Sequence, residues 1–130
     1  MVNDPIGDLL IQIKNASMAG KQGISVPYSR LKHAVADVLS QEGYVGRVAK
    51  AGEAVKSSLT VEITYQDGAP AITDVKRVSK PGLRQYVKSQ KIPTVLGGMG
   101  VAILSTPQGI MTGKDAKKRR LGGELLCTIW

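Results

Sequence analysis

The spacing of apolar residues divides the chain into two halves of different character. Ile6, Leu9, Leu10 and Ile13 recur at i, i+3, i+4 and i+7, which predicts an amphipathic helix. Asp4-Pro5 supplies its N-cap and first helical residue, and Gly20 its end. Ile24-Ser25-Val26-Pro27 reads as a short strand at a sheet edge, where proline is tolerated. Ser29 is placed to cap a second helix, with Leu31, Val35, Val38 and Leu39 on its buried side and Gly43 closing it. Residues 44–50 read as a strand. Leu59, Val61, Ile63 and Tyr65 then alternate with polar residues, the period-2 pattern of a half-buried strand.

Gln66-Asp67-Gly68-Ala69-Pro70 is a turn cluster and the expected boundary. Beyond it the pattern shortens into strands and loops. Residues 72–78 predict a strand with cationic polar members, and Ser79-Lys80-Pro81-Gly82 a turn suited to type II. A brief strand at 86–88 follows. The glycines of 97–100 lead into 101–104, an apolar run that reads as a strand buried on both faces. Thr112, with Asp115 three residues on, boxes the start of a short helix carrying Lys117, Lys118, Arg119 and Arg120. Gly122-Gly123 is expected to end it, before a last strand at 124–130. The predicted architecture is α+β in two small domains. An α/β N-terminal part spans 1–66, and a mainly β C-terminal part with a short basic helix spans 67–130.

Composition changes this picture little. A hydrophobic fraction of 42% is ordinary for a folded domain. No apolar run is long enough to span a membrane, and Met-Val-Asn-Asp-Pro does not read as a leader. The single Cys127 sits in an apolar run and reads as a buried small hydrophobe, consistent with a reducing cytoplasm.

Charge changes it more. Residues 1–74 hold seven bases and eight acids, whereas 75–130 hold eleven bases and only Asp115 and Glu124, so the net +8 is concentrated in the second half. Residues 75–114 contain no acid at all. Such asymmetry points to a polyanionic partner for the basic half, against the plainer reading of a solvated basic surface.

Catalysis finds no foothold. His33 is the only histidine, read as a partly exposed helix residue, and one histidine and one cysteine cannot furnish a zinc site. Ser105 lacks a nucleophile elbow and a local base, and the glycines at 97, 98 and 100 precede a strand instead of opening a helix. No enzyme activity, cofactor or metal is expected.

Nucleic acid fits better. Four Tyr, one Trp and no Phe argue against a broad stacking platform for single strands. The basic half instead combines cations for phosphates with hydroxyls on turns that can reach ribose and base edges in a shallow RNA minor groove. Glycines at 109, 122 and 123 would allow close approach. Glu124 near phosphates is unfavourable unless it accepts from a base amino group or a ribose hydroxyl; a surface ion pair is the equal alternative. Composition alone favours a plain polar turn for Ser105, Thr106 and Gln108, and a core position for Tyr86 over a base-stacking one.

Several motifs follow one another in a single order and spacing. They are Asp4-Pro5-Ile6-Gly7-Asp8-Leu9-Leu10 with Lys14-Asn15, Leu31-Lys32, and the helix end at 39–44. The second half adds Arg77-Val78-Ser79-Lys80-Pro81-Gly82-Leu83-Arg84, residues 100–106 with Gly109, Met111-Thr112, and Leu121-Gly122-Gly123-Glu124. Together they resemble the S-eight family of small-subunit ribosomal proteins, bacterial type, over nearly the whole chain.

The resemblance implies an α/β N-terminal and a mostly β C-terminal domain, and a cytoplasmic ribonucleoprotein that is not an enzyme. It implies primary binding to the central domain of small-subunit (16S) ribosomal RNA, a role in subunit assembly and translation, and neighbours among other small-subunit proteins. It further implies repression of the protein's own operon through its messenger RNA. Carried over by position, Ser105, Thr106, Gly109, Gly122, Gly123 and Glu124 become specificity contacts, flanked by Pro107 and Gln108. Arg84, Tyr86 and Lys88 support them, and Asp4, Lys14 and Asn15 touch RNA more weakly from the first helix. Independently of the resemblance, Lys114, Lys117 and Lys118 are expected to meet phosphates.

The chain departs from the family pattern at Pro107, where the family turn carries a further hydroxyl, and at Ile11 and Gln12, where it carries threonine and arginine. The 117–120 cluster is more basic than the pattern, so affinity is expected to lean on phosphates. A non-ribosomal RNA chaperone or translational repressor with a similar surface is the alternative function.

Overall fold

The computed structural model describes residues 4–130; Met1-Val2-Asn3, read above for a leader, lie outside the described residues. Its mixed helices and antiparallel sheets are the α+β class expected. Two compact units form, residues 5–73 and residues 74–130 together with Asp4.

In the first unit, α1 (Pro5–Met18) puts Pro5 at its first position and buries Ile6, Leu9, Leu10 and Ile13. Gly20, at φ 71°, follows the helix end. Strand β1 (Gly23–Pro27) leads to α2 (Arg30–Gln41), whose first turn is capped by Ser29 accepting from Lys32 N at 3.1 Å. The buried stripe of α2 is Lys32, Val35, Ala36, Val38 and Leu39. Leu31, expected inside, is exposed instead. The i, i+3, i+4, i+7 rows from Lys32 to Leu39 define the face, and Lys32 fills its first place with its aliphatic stem.

Strands β2 (Val45–Ala51) and β3 (Ser58–Ile63) complete a sheet in the order β1-β3-β2, with β1 at an edge as its proline requires. Leu59, Val61 and Ile63 are buried as their alternation predicts. The 66–70 cluster is the tip of a hairpin, β4 (Tyr65–Gln66) and β5 (Ala69–Pro70), with Asp67 and Gly68 both at positive φ as a two-residue hairpin turn demands. Ile72 is buried beyond it, so the first unit continues to Thr73, past the boundary at 66.

The second unit is one five-stranded sheet. Strand β6 (Val75–Arg77) is shorter than the strand expected at 72–78. Strands β7 (Tyr86–Val87), β8 (Val101–Thr106), β9 (Gly109–Thr112) and β10 (Gly123–Ile129) complete the sheet, with α3 (Gly113–Lys118) between the last two. The order is β6-β10-β8-β9, with β7 also on β10.

Both β6 and β7 run antiparallel to β10, at Arg77↔Cys127 and Tyr86↔Glu124. Between them Val78 and Ser79 still donate to Leu126 and Leu125, and Leu125 donates to Gln85. The Ser-Lys-Pro-Gly turn therefore does not reverse the chain into a hairpin. Residues 80–84 leave a single strand line and return to it, closed by mutual backbone bonds of Lys80 and Leu83, with Gly82 at φ 93°.

One face of the sheet is covered by α3 and the segment before β8, in a core of Ile92, Ala102, Leu104, Met111, Ala116 and Leu125. Two expectations change here. Strand β8 runs on through Ser105 and Thr106, because both pair with β9, a strand the apolar pattern did not reveal. And α3 ends at Lys118, two residues short of Arg120, which the sequence pattern put in the helix. Arg120 at φ 58°, not the later glycines, terminates it, with Leu121 N bonding back to Ala116 O.

Candidate nucleic-acid interface

The register of four strands aligns the central residues. Tyr86 of β7 stands opposite Glu124 of β10, Glu124 opposite Ser105 of β8, and Ser105 opposite Ile110 of β9. Residues directly opposed on neighbouring strands share a sheet face, so Tyr86, Glu124, Ser105 and Ile110 form one row. Tyr86, expected in the core, is 70% exposed at its end. An edge position in a two-residue strand gives its ring nothing to pack under.

A β-bulge in β10 sets which face Glu124 takes. The register shifts between Leu125 and Cys127. Without it, Glu124 would alternate onto the face opposite Cys127; the extra residue brings both to the same side.

Around Glu124 the chain builds a fixed carboxylate. Ser79, fully buried, donates its hydroxyl to Glu124 Oε2 and accepts from Gln85 N at 3.1 Å. Arg84 Nη1 donates to the same Oε2 at 3.0 Å. The two side chains differ in exposure, 49% for Arg84 and 18% for Glu124, so solvent screens the ion pair from one side.

The two hydroxyls of the β8 end have different tasks. Thr106 is buried; its Oγ1 donates to Gly109 O at 2.9 Å and accepts from Gln108 N at 3.1 Å, so it holds the turn together. Ser105 lies half-buried on the row with Glu124, and its hydroxyl has no hydrogen-bond partner among the described residues. Pro107 and Gln108 form the exposed tip, and Gly109 takes φ 118°, a conformation that side chains rarely adopt.

Gly122 and Gly123 serve the protein's own packing. A Cβ on Gly123 would overlap Ser105 O, and one on Gly122 would stand 2.5 Å from Val87 O. Close backbone approach within the sheet is thus sufficient reason for both glycines.

Lys88, Lys114, Lys117, Lys118, Arg119 and Arg120 are all exposed, and none has an ion-pair partner among the described residues. Helix α3 itself packs on the sheet face opposite the row, over Leu104, Met111 and Leu125. The short α3 that carries three of them is held by Thr112, whose Oγ1 accepts from Asp115 N at 3.1 Å, and by the buried Ala116.

Asp4 is differently employed. Its carboxylate receives three bonds from Arg77, from Nε to both oxygens and from Nη2 at 3.0 Å. Arg77 also donates to Leu126 O at 2.6 Å. Lys14 and Asn15 lie on α1 of the first unit, outside this row. Sequence reading missed Ser79 and Gln85 as supports of Glu124, because only the pairing of 78–87 along β10 brings them together.

Nothing in this region is assembled for covalent chemistry. Cys127 is fully buried, and desolvation pushes its thiol up to about 12 despite the nearby Arg77, so the thiol stays protonated and inert. Among the described residues no group of His, Cys, Asp and Glu could hold a metal ion, and no helix is long and apolar enough to cross a membrane.

Fold and surface together define a small two-unit α+β protein with a strongly basic second unit. The family described as "Ribosomal protein S8" matches residues 4–130, and the chain belongs to it. Proteins named "Small ribosomal subunit protein uS8" are similar along nearly their whole length. That of Dictyoglomus thermophilum is 50% identical over 129 residues, covering 99% of this chain and 98% of its own. That of Anaeromyxobacter sp. (strain K) is 51% identical over 128 residues, 98% and 97% respectively. That of Saccharophagus degradans is 46% identical over 129 residues, 99% and 98%. The resemblance drawn from the motifs is borne out, and this family consists of structural ribosomal proteins, not enzymes.

Proposed function

We propose that the protein is a structural constituent of the small ribosomal subunit, binding the central domain of 16S ribosomal RNA directly and promoting assembly of the subunit. The observation that carries this reading is the row Tyr86–Glu124–Ser105, an exposed ring, an oriented carboxylate and an unpartnered hydroxyl side by side. Such a set can accept from a base amino group, donate to or accept from a ribose hydroxyl, and cover a base face, all within a wide, shallow RNA minor groove.

The exposed cations at 88, 114 and 117–120 supply the phosphate contacts that position an RNA without reading it. The Pro107-Gln108 tip reaches out from the same hairpin. Lys14 and Asn15 of the first unit add weaker contacts, and Asp4 acts mainly through Arg77. Names of the similar proteins support placement in the small subunit. The same surface would bind the protein's own messenger if that RNA copies the ribosomal site, giving translational repression.

Chemical footprinting of small-subunit RNA with and without the pure protein tests the reading. Protection of one irregular helix in the central domain is expected. Uniform weak protection, or a protein absent from small subunits in magnesium-containing gradients, would favour a general RNA chaperone instead.

A further inference from the structure

We propose that Ser79 is a positioning residue for RNA recognition, acting through Glu124; the proposal rests on the function proposed above. Two observations meet at this buried hydroxyl. It accepts from Gln85 N, which closes the neck of the 80–84 excursion, and it donates to Glu124 Oε2. Closing the neck returns the chain to β10 with Arg84 just outside it, where Nη1 reaches the same oxygen. One serine thereby fixes a carboxylate and brings a cation to it.

The consequence is an asymmetric carboxylate. Both bonds fall on Oε2, which leaves Oε1 to accept from a ligand. A free glutamate side chain at this position would sample several rotamers and repel neighbouring phosphates. Held by a neutral donor and half-compensated by Arg84, it loses little further freedom on binding. The Arg84 contact is screened by solvent, whereas the Ser79 bond is shielded and charge-assisted. Orientation therefore depends mainly on Ser79, a residue that no RNA can touch directly.

The test is a double-mutant cycle between Ser79→Ala and Glu124→Ala. Binding is read against a central-domain transcript of 16S RNA and a regular duplex of equal length. Ser79→Ala should weaken the transcript about tenfold, the size of one lost bond to a charged group, and leave the duplex unchanged. In the Glu124→Ala background the same substitution should cost nothing more. A loss that persists without Glu124, or that extends equally to the duplex, overturns the proposal and makes Ser79 a folding residue only. If Ser79→Ala does not fold, Ser79→Cys keeps the volume with a weak donor; transcript-specific loss supports the proposal and wild-type binding overturns it. The free protein supplies a separate readout, the Glu124 side-chain carboxylate carbon in NMR. It should shift in the Ser79 variant, and an unchanged resonance refutes the positioning itself. A wild type with no preference for the transcript would instead overturn the RNA reading while that resonance still reports the contact.

Discussion

Ser105 and Glu124 face each other across β8 and β10, one with an unused hydroxyl, the other with a carboxylate already tied through a single oxygen. This pairing puts a donor and an acceptor next to each other on a half-buried sheet face. Neither is consumed by the other.

The division of work between Ser105 and Thr106 is open to measurement. Ser105→Ala should lower affinity for central-domain RNA about fivefold and leave the urea midpoint where it was, since it breaks no internal bond. Thr106→Val should do the reverse, destabilising by about 1–2 kcal/mol because Gln108 N and Gly109 O lose their partner. Equal effects of both on RNA and on stability would refute the assignment.

Glu124→Gln tests whether the carboxylate reads RNA. The neutral amide should weaken the cognate RNA more than a scrambled one. A uniform gain for both, as expected from removing a repelling charge, would make Glu124 an electrostatic bystander.

Reversing Lys117 and Lys118 to glutamate should lower affinity across all RNA sequences and flatten the salt dependence by up to about one unit per lost phosphate contact. Thermal melting should hardly move, because both side chains are exposed and unpaired among the described residues. An unchanged salt slope would remove α3 from the interface.

Gly123→Ala is expected to destabilise by about 3 kcal/mol, the upper end for overpacking, since its Cβ would meet the backbone of Ser105. Equilibrium denaturation measures this without RNA. A neutral result would show that the glycine is there for a ligand and not for the sheet.

Cys127 gives a pH dependence of known sign. Burial pushes its thiol up to about 12 in the folded chain, from an ordinary value of 9.0. Between those values the unfolded chain loses the proton while the native one keeps it. Its contribution to stability is therefore full below about pH 9 and declines as pH rises, by at most about 1.4 kcal/mol per pH unit. Urea melts at pH 8.5 and 10.5 should show a steeper decline for wild type than for Cys127→Ala; parallel declines would contradict it.

Local pattern made the first unit legible. Helix periodicity, Ser29 as cap and the alternation of 59–63 are short-range signals, and each produced the element it predicts. Leu31 failed because a lysine stem occupied the stripe in its place. The second unit was harder, for a physical reason. Its strands are short and its decisive relationships are between strands. Residues 109–112 have too few positions to show alternation. The side taken by Glu124 depends on a bulge that alternation conceals, and Tyr86 is exposed because of where its strand sits in the sheet. The glycines at 122 and 123 were visible, but their reason was not, since only the fold shows what their Cβ atoms would strike.

The central place of β10 has a consequence for biosynthesis. It is translated after β6, β7, β8 and β9, yet it joins β6 and β7 to the β8–β9 hairpin. Until it emerges, a nascent chain can close the first unit and the hairpin but cannot complete this sheet. The row of Tyr86, Glu124 and Ser105 does not exist until β10 is available. Under the proposed function, engagement of RNA through it must await emergence of β10 from the exit tunnel.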